Sequence, residues 1–109
     1  MDQDMTVLCS ASGYTKKYYL NPVFQGLPER VRQELQIMCV LFTEEVGGVI
    51  LLFFDKPGNL VITTEAQEDD PAYDEIGSHL LVKRIRKEQA ELFNQLEQYY
   101  SLFILGKTD

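Results

Sequence analysis

The sequence predicts an α+β domain: a small antiparallel sheet around a central hairpin, carried by two helices. Three observations predict it. Residues 49–54 form an unbroken apolar run and residues 60–65 are rich in β-branched types, with Asp55-Lys56-Pro57-Gly58-Asn59 between them. Two longer segments, about 28–45 and 71–100, repeat their apolar residues at helical spacing. A β-friendly stretch over 5–11 supplies a further strand near the start.

In chain order, Met5-Thr6-Val7-Leu8-Cys9-Ser10-Ala11 reads as the first strand, and Ser12-Gly13 breaks it. Residues 14–24 are irregular, with a second short strand at 17–20 as an option and a turn at Asn21-Pro22. Pro28 opens the first helix, where its missing N–H is not needed. Val31, Leu35, Met38 and Phe42 then mark one helical face. The run Ile37-Met38-Cys39-Val40-Leu41-Phe42 is apolar all round, which predicts burial on most sides. Gly47-Gly48 ends the helix, because glycine accepts the positive φ of a helix stop.

The hairpin spans about 49–55 and 60–65. Pro57-Gly58 fits the two central positions of a type II turn. Residues 66–70 form an acidic loop. Asp70-Pro71 then reads as an N-cap followed by a first-turn proline. The stripe Tyr73, Gly77, Leu81, Ile85, Leu92, Leu96 and Tyr99 runs down one long helix to residue 100. Gly77 on that stripe costs about 1 kcal/mol against alanine and predicts close packing rather than a ligand-facing gap. Residues 102–105 are either a fraying helix end or a last strand.

The strand at 49–54 does not alternate, so both of its faces want cover. Fully buried, its six side chains would contribute about 10 kcal/mol before entropy is subtracted. Two helices cover one face of a small sheet. The other face then needs the N-terminal segment or a second copy of the chain, and the expectation is a homodimer.

Composition narrows the function. The chain has 109 residues, which fits one domain over 1–109, with 45% hydrophobic and 25% charged residues. The formal charge of −7 opposes a phosphate backbone, so no nucleic-acid partner is expected. No apolar run is long enough to span a bilayer, and no membrane role is expected. Asp2 and Asp4 stand where a secretory signal would be basic and then apolar, so the cytoplasm is the expected compartment. The chain begins with Met1 and is expected to be full length. Cys9 and Cys39 lie in apolar surroundings and read as two buried thiols, with a disulfide as the alternative. One histidine and two cysteines do not make a usual zinc site, and no cofactor is expected.

The acidity is segregated. Residues 44–75 hold nine acids and one base, whereas 1–43 balance and 76–109 carry one excess positive charge. The bland reading of that stretch is a solvated loop with favourable helix-start charges. Its functional readings are a protein partner at the acidic surface or a ligand site. Asp70, Asp74, Glu75 and His79 are the candidate ligand or metal residues, since Glu75 and His79 are four apart on one helical face. Their spacing matches no calcium loop. Arg84 and Lys87, within Lys83-Arg84-Ile85-Arg86-Lys87, are candidate interface residues facing acids within the chain or across a dimer, and Lys87 pairs with Glu91 along the helix. Tyr14, Tyr18 and Tyr19, beside Lys16 and Lys17, are interface candidates or an arm over the core. Gly106-Lys107-Thr108 lacks the rest of a phosphate loop, and no nucleophile elbow or dinucleotide loop is present, so no catalytic residue is assigned.

Several strings together resemble a family of small bacterial proteins of unknown function: Lys17-Tyr18-Tyr19-Leu20-Asn21, Leu27-Pro28, Glu34-Leu35-Gln36-Ile37-Met38-Cys39-Val40-Leu41-Phe42-Thr43-Glu44, Gly47-Gly48 and Tyr73-Asp74-Glu75-Ile76-Gly77-Ser78. The resemblance covers nearly the whole chain and implies a cytoplasmic bacterial protein, with no activity attached. The order helix, tight hairpin, acidic loop, helix also resembles the opening of roadblock-type regulatory domains, which act through protein contacts. The further strands and final helix of those domains have no counterpart here. The expected function is therefore a non-enzymatic interaction or regulatory module that self-associates. The alternative is a small-ligand or divalent-metal-binding protein, with an enzyme as one form of it, using the acidic start of the last helix.

Overall fold

A computed structural model describes residues 5–106. Strands β1 (Thr6–Ser12), β2 (Lys17–Leu20), β3 (Val49–Phe54) and β4 (Leu60–Glu65) form one antiparallel sheet in the order β2-β1-β3-β4. Helix α1 (Glu29–Val46) connects β2 to β3, and α2 (Glu75–Glu88) and α3 (Ala90–Tyr99) follow β4. The fold is thus α+β, as the hydrophobic patterns predict, and the optional strand at 17–20 is present.

The β1–β2 turn is held by Ser12, whose Oγ accepts from the backbone N–H of Tyr14 and Thr15. Asn21 starts a short 3-10 turn, Pro22–Phe24. Its Oδ1 accepts from Val23 N, and its side-chain amide donates to Val7 O at 2.7 Å. Pro28 stands at the cap of α1, one residue before its predicted place inside the helix. At the other end, Gly47 and Gly48 take φ of +83° and +73°. A Cβ on Gly48 would lie 2.5 Å from Glu65 O and 2.8 Å from the Tyr73 ring, so this position demands glycine twice over.

The β3–β4 hairpin forms as predicted, but its turn lies one residue earlier. Gly58 N donates to Asp55 O, which makes Lys56 and Pro57 the central pair. Asp55 decides this. Its Oδ1 accepts from the N–H groups of Gly58 and Asn59, fixing the loop from inside, while Gly58 still supplies a φ of +101°.

The predicted single helix over 71–100 is corrected at both its start and its middle. Residues 71–74 are not helical, and the cap is Asp74, not Asp70. Asp74 N donates to Val46 O at the end of α1, and Asp74 Oδ1 accepts from Gly77 N at 2.8 Å. Gly77 has its explanation here: a Cβ would run into the Asp74 carboxylate. Asp70 is committed to a turn of its own, accepting from Ala72 N. The helix then breaks at Gln89, whose φ/ψ of −107°/22° leaves the helical region. The break lets α2 pack on α1 while α3 packs on β4. It also separates Lys87 and Glu91 onto different helices, so they do not form the predicted pair along one helix. After α3, Tyr100–Ile104 makes a π-helical turn rather than a strand.

The sheet has two unequal faces. Inward point Cys9, Ala11, Ile50, Leu52, Phe54 and Leu60, all buried, against Leu35, Cys39, Phe42, Val46, Leu92, Phe93 and Leu96 of the helices. A bulge between Val7 and Cys9 turns Leu8 inward as well. Phe54 stacks on Tyr100 with ring centres 4.2 Å apart and planes 3° from parallel, and Phe24 stacks on Phe54 at 5.6 Å. Tyr100, rather than the predicted Tyr99, is the buried member of that pair.

Candidate functional site

The acidic loop makes a shallow hollow of about 440 Å³, walled by Thr64, Glu65, Glu68, Asp70, Tyr73, Glu75 and His79 among others. Three of the four predicted ligand residues, Asp70, Glu75 and His79, therefore share one rim. The fourth, Asp74, is engaged as the helix cap. Among the described residues, no three His, Cys, Asp or Glu side chains are grouped so that they could hold a metal ion. What the loop does have is a pin. Tyr14 donates its hydroxyl to Asp70 Oδ2 at 2.7 Å and accepts from Gln67 N at 2.9 Å. The bond to the Asp70 carboxylate holds the Tyr14 hydroxyl protonated, above its ordinary range near 10. Behind the hollow, Tyr73 donates to the buried Ser78 hydroxyl at 2.8 Å.

The three tyrosines do not form one surface. Tyr14 serves the loop. Tyr18 and Tyr19 are successive residues of a strand and point to opposite faces. Tyr18 turns inward, and its hydroxyl is buried without a hydrogen-bond partner. Burial, then the neighbouring cysteines, raise its pKa far above the ordinary range, so the hydroxyl stays protonated. Cys9 and Cys39 are both free and fully buried, with sulfurs 3.8 Å apart. The bond to Cys9, then burial, pushes the Cys39 thiol far up, so it stays protonated and unreactive. The two thiols act as small core hydrophobes, and no disulfide joins them.

Two apolar surfaces remain. The first is the outer face of the sheet. Val7, Phe53 and Val61 lie side by side across three strands, and Tyr19, Ser10, Leu51 and Thr63 form the next row. None of them belongs to the hydrophobic core or packs against it. Tyr19 is 50% exposed and the central residues are half-buried only by one another. Among the described residues, the strand that wanted cover on both faces has it on one. The N-terminal segment, from Thr6 on, lies within the sheet and not over it.

The second surface is a groove of about 270 Å³ between α1 and α2. Met38, Phe42, Leu81 and Ile85 form its floor, Ile37 and Leu41 its flank, and Glu34, Glu45, Arg84 and Glu88 its rim. Ile37 and Leu41 are 58% and 57% exposed, which corrects the prediction that the apolar second half of this helix is buried on most sides.

A model described as a family of unknown function, DUF6145, matches residues 5–108. The chain belongs to this family. Membership in DUF6145 agrees with the resemblance carried by the sequence strings and spans every element above, the acidic loop and the groove included. No curated protein and no solved structure matches the chain.

Of the predicted interface residues, Arg84 lines the groove and Lys87 is exposed further along α2. Their neighbour Arg86 instead donates to Leu60 O at 3.2 Å, tying α2 to the start of β4. Ile37 and Leu41 are expected from the sequence to be buried and not to form a surface, although the signal is there: they lie outside the stripe Val31, Leu35, Met38, Phe42 that faces the core. Among the described residues no helix is long and apolar enough to cross a membrane.

Proposed function

We propose that this chain is a non-enzymatic protein-interaction module that works as a homodimer, joined through the outer face of its sheet. The observation that supports this is the row Val7, Phe53 and Val61 beside Leu51 and Tyr19, an apolar surface with no helix over it. Exposed contiguous apolar patches of this kind mark association surfaces on soluble proteins. A symmetric pair would set each face against its copy and remove the central strand from water. The two free buried thiols suit a reducing compartment, and we assign the protein to the cytoplasm. Sedimentation of the purified chain at tens of micromolar tests the reading. A dimer that becomes a folded monomer in Phe53→Glu is the expected result, and a monomeric wild-type chain overturns it.

A second reading rests on the acidic hollow, where Asp70, Glu75 and His79 face the same space. It makes the protein a binder of a small cationic ligand or a divalent ion. A thermal-shift screen against divalent metals and small amines separates the two, since a ligand of the folded state raises the melting temperature.

A further inference from the structure

The groove between α1 and α2 is a different surface from the outer sheet face, and its chemistry is different too. Its floor is apolar and contains Met38, an unbranched side chain that adapts to varied partners. Ile37 and Leu41 stand one helical turn apart on the α1 flank, more than half exposed. On α2, Leu80 lies one turn before Arg84, is 63% exposed and prolongs the apolar strip. Asp74 at the start of α2 bonds to Val46 at the end of α1, so the two helices run antiparallel. From Glu34 to Glu45 the strip extends about three helical turns. That is the length over which an amphipathic helix presents residues i, i+3, i+4 and i+7 to a groove.

The rim settles what kind of helix fits. It carries three carboxylates, Glu34, Glu45 and Glu88, against one guanidinium, Arg84. Glu88 is one turn from Arg84 on the same helix face and offsets its charge. A second copy docking here about a two-fold axis would set this net-negative rim against an equally negative one, and like charges disfavour that contact. A helix with lysines or arginines beside its apolar stripe meets the opposite sign at each end.

We infer that the α1–α2 groove is a docking site for a basic amphipathic helix of a partner protein, with Ile37, Met38, Leu41, Leu81 and Ile85 receiving its apolar stripe and Glu34, Glu45 and Glu88 its flanking cations. The site is independent of self-association through the sheet. It adds to the proposed dimer a second surface, so that each protomer holds one partner helix.

Two synthetic helical peptides test it on the 109-residue chain. They share one leucine stripe and differ only in flanking lysines or flanking glutamates. The lysine peptide should bind saturably, and backbone amide shifts should centre on Ile37, Met38, Leu41, Leu81 and Ile85. The glutamate peptide should bind at least about tenfold more weakly. Leu41→Glu replaces an exposed side chain, so circular dichroism and melting temperature should hold while affinity for the lysine peptide falls at least about tenfold. The paired change Glu34→Lys and Glu45→Lys should reverse the preference between the peptides. Phe53→Glu, which breaks the proposed dimer, should leave peptide binding intact. Equal binding of both peptides, shifts centred on the acidic loop at 65–75, no saturable binding, or loss of binding in Phe53→Glu would each overturn the assignment. So would a homodimer that dissociates in Leu41→Glu, because the groove would then hold a second copy.

Discussion

Ile50, Leu52 and Phe54 on one face of β3 match Val49, Leu51 and Phe53 on the other in size and hydropathy, yet only the first three enter the core. The difference comes from what lies opposite. The inner three meet α1, α3, Phe24 and Tyr100, and their burial is close to complete. Among the described residues, the outer three meet only their neighbours within the sheet. A strand that is apolar on both sides therefore states a need for two covers without saying where each comes from. Here the described residues supply one of them, and the helices that supply it leave a second apolar strip, the α1–α2 groove, on their own outer side.

Truncation of the two phenylalanines breaks or confirms this contrast most directly. Phe54→Ala empties a fully packed site and should cost about 3–5 kcal/mol in urea denaturation. Phe53→Thr, at a concentration low enough for monomers, should cost only about 1–2 kcal/mol, because threonine keeps the strand preference and little packing is lost. Equal losses would mean that the outer face is covered as well as the inner one. In the same series, the cost of Phe53→Thr should grow with protein concentration, as expected when association stabilises the fold.

A smaller effect sharpens the inner side of the comparison. Asp74→Ala removes the cap of the helix that closes the core over α1 and should lower stability by about 1 kcal/mol, read as a shift in urea midpoint with unchanged slope. The corresponding Asp70→Ala should leave the helix content unchanged, since Asp70 caps nothing. The smallest change is Tyr14→Phe, which unpins the acidic loop and alters neither face of the sheet. Its wild-type contribution has a defined pH dependence. The hydroxyl's acidity is weaker in the folded chain than in the unfolded one, because it donates to Asp70. Its stabilisation is therefore complete below about pH 10, the unfolded value, and is lost as pH rises through the higher folded value. Stability curves of wild type and Tyr14→Phe should converge at strongly alkaline pH, and a constant gap across that range would contradict the role given to this bond.

The sequence made the elements legible because their signals are local. The hairpin is written in six apolar residues, a five-residue loop with Pro57-Gly58, and a β-branched run. The end of α1 is written in Gly47-Gly48, and both glycines do take positive φ. The segregation of charge into 44–75 is likewise a property of the chain itself, and it placed three of the four expected site residues around one hollow. What failed was every choice that depended on a distant partner. Asp70 and Asp74 are equally good caps on paper. Tyr14, arriving from 56 residues away, engages the first, and Val46 O anchors the backbone of the second. The stripe from Tyr73 to Tyr99 reads as one helix, but α1 and β4 are two targets in different places, and Gln89 breaks the helix so that both are reached. Ile37 and Leu41 look buried in the sequence and stand exposed in the fold. Hydropathy determines which residues seek cover within a few bonds of themselves. Whether that cover exists depends on which remote segment the tertiary structure brings, and among the described residues none is brought over the outer face of the sheet.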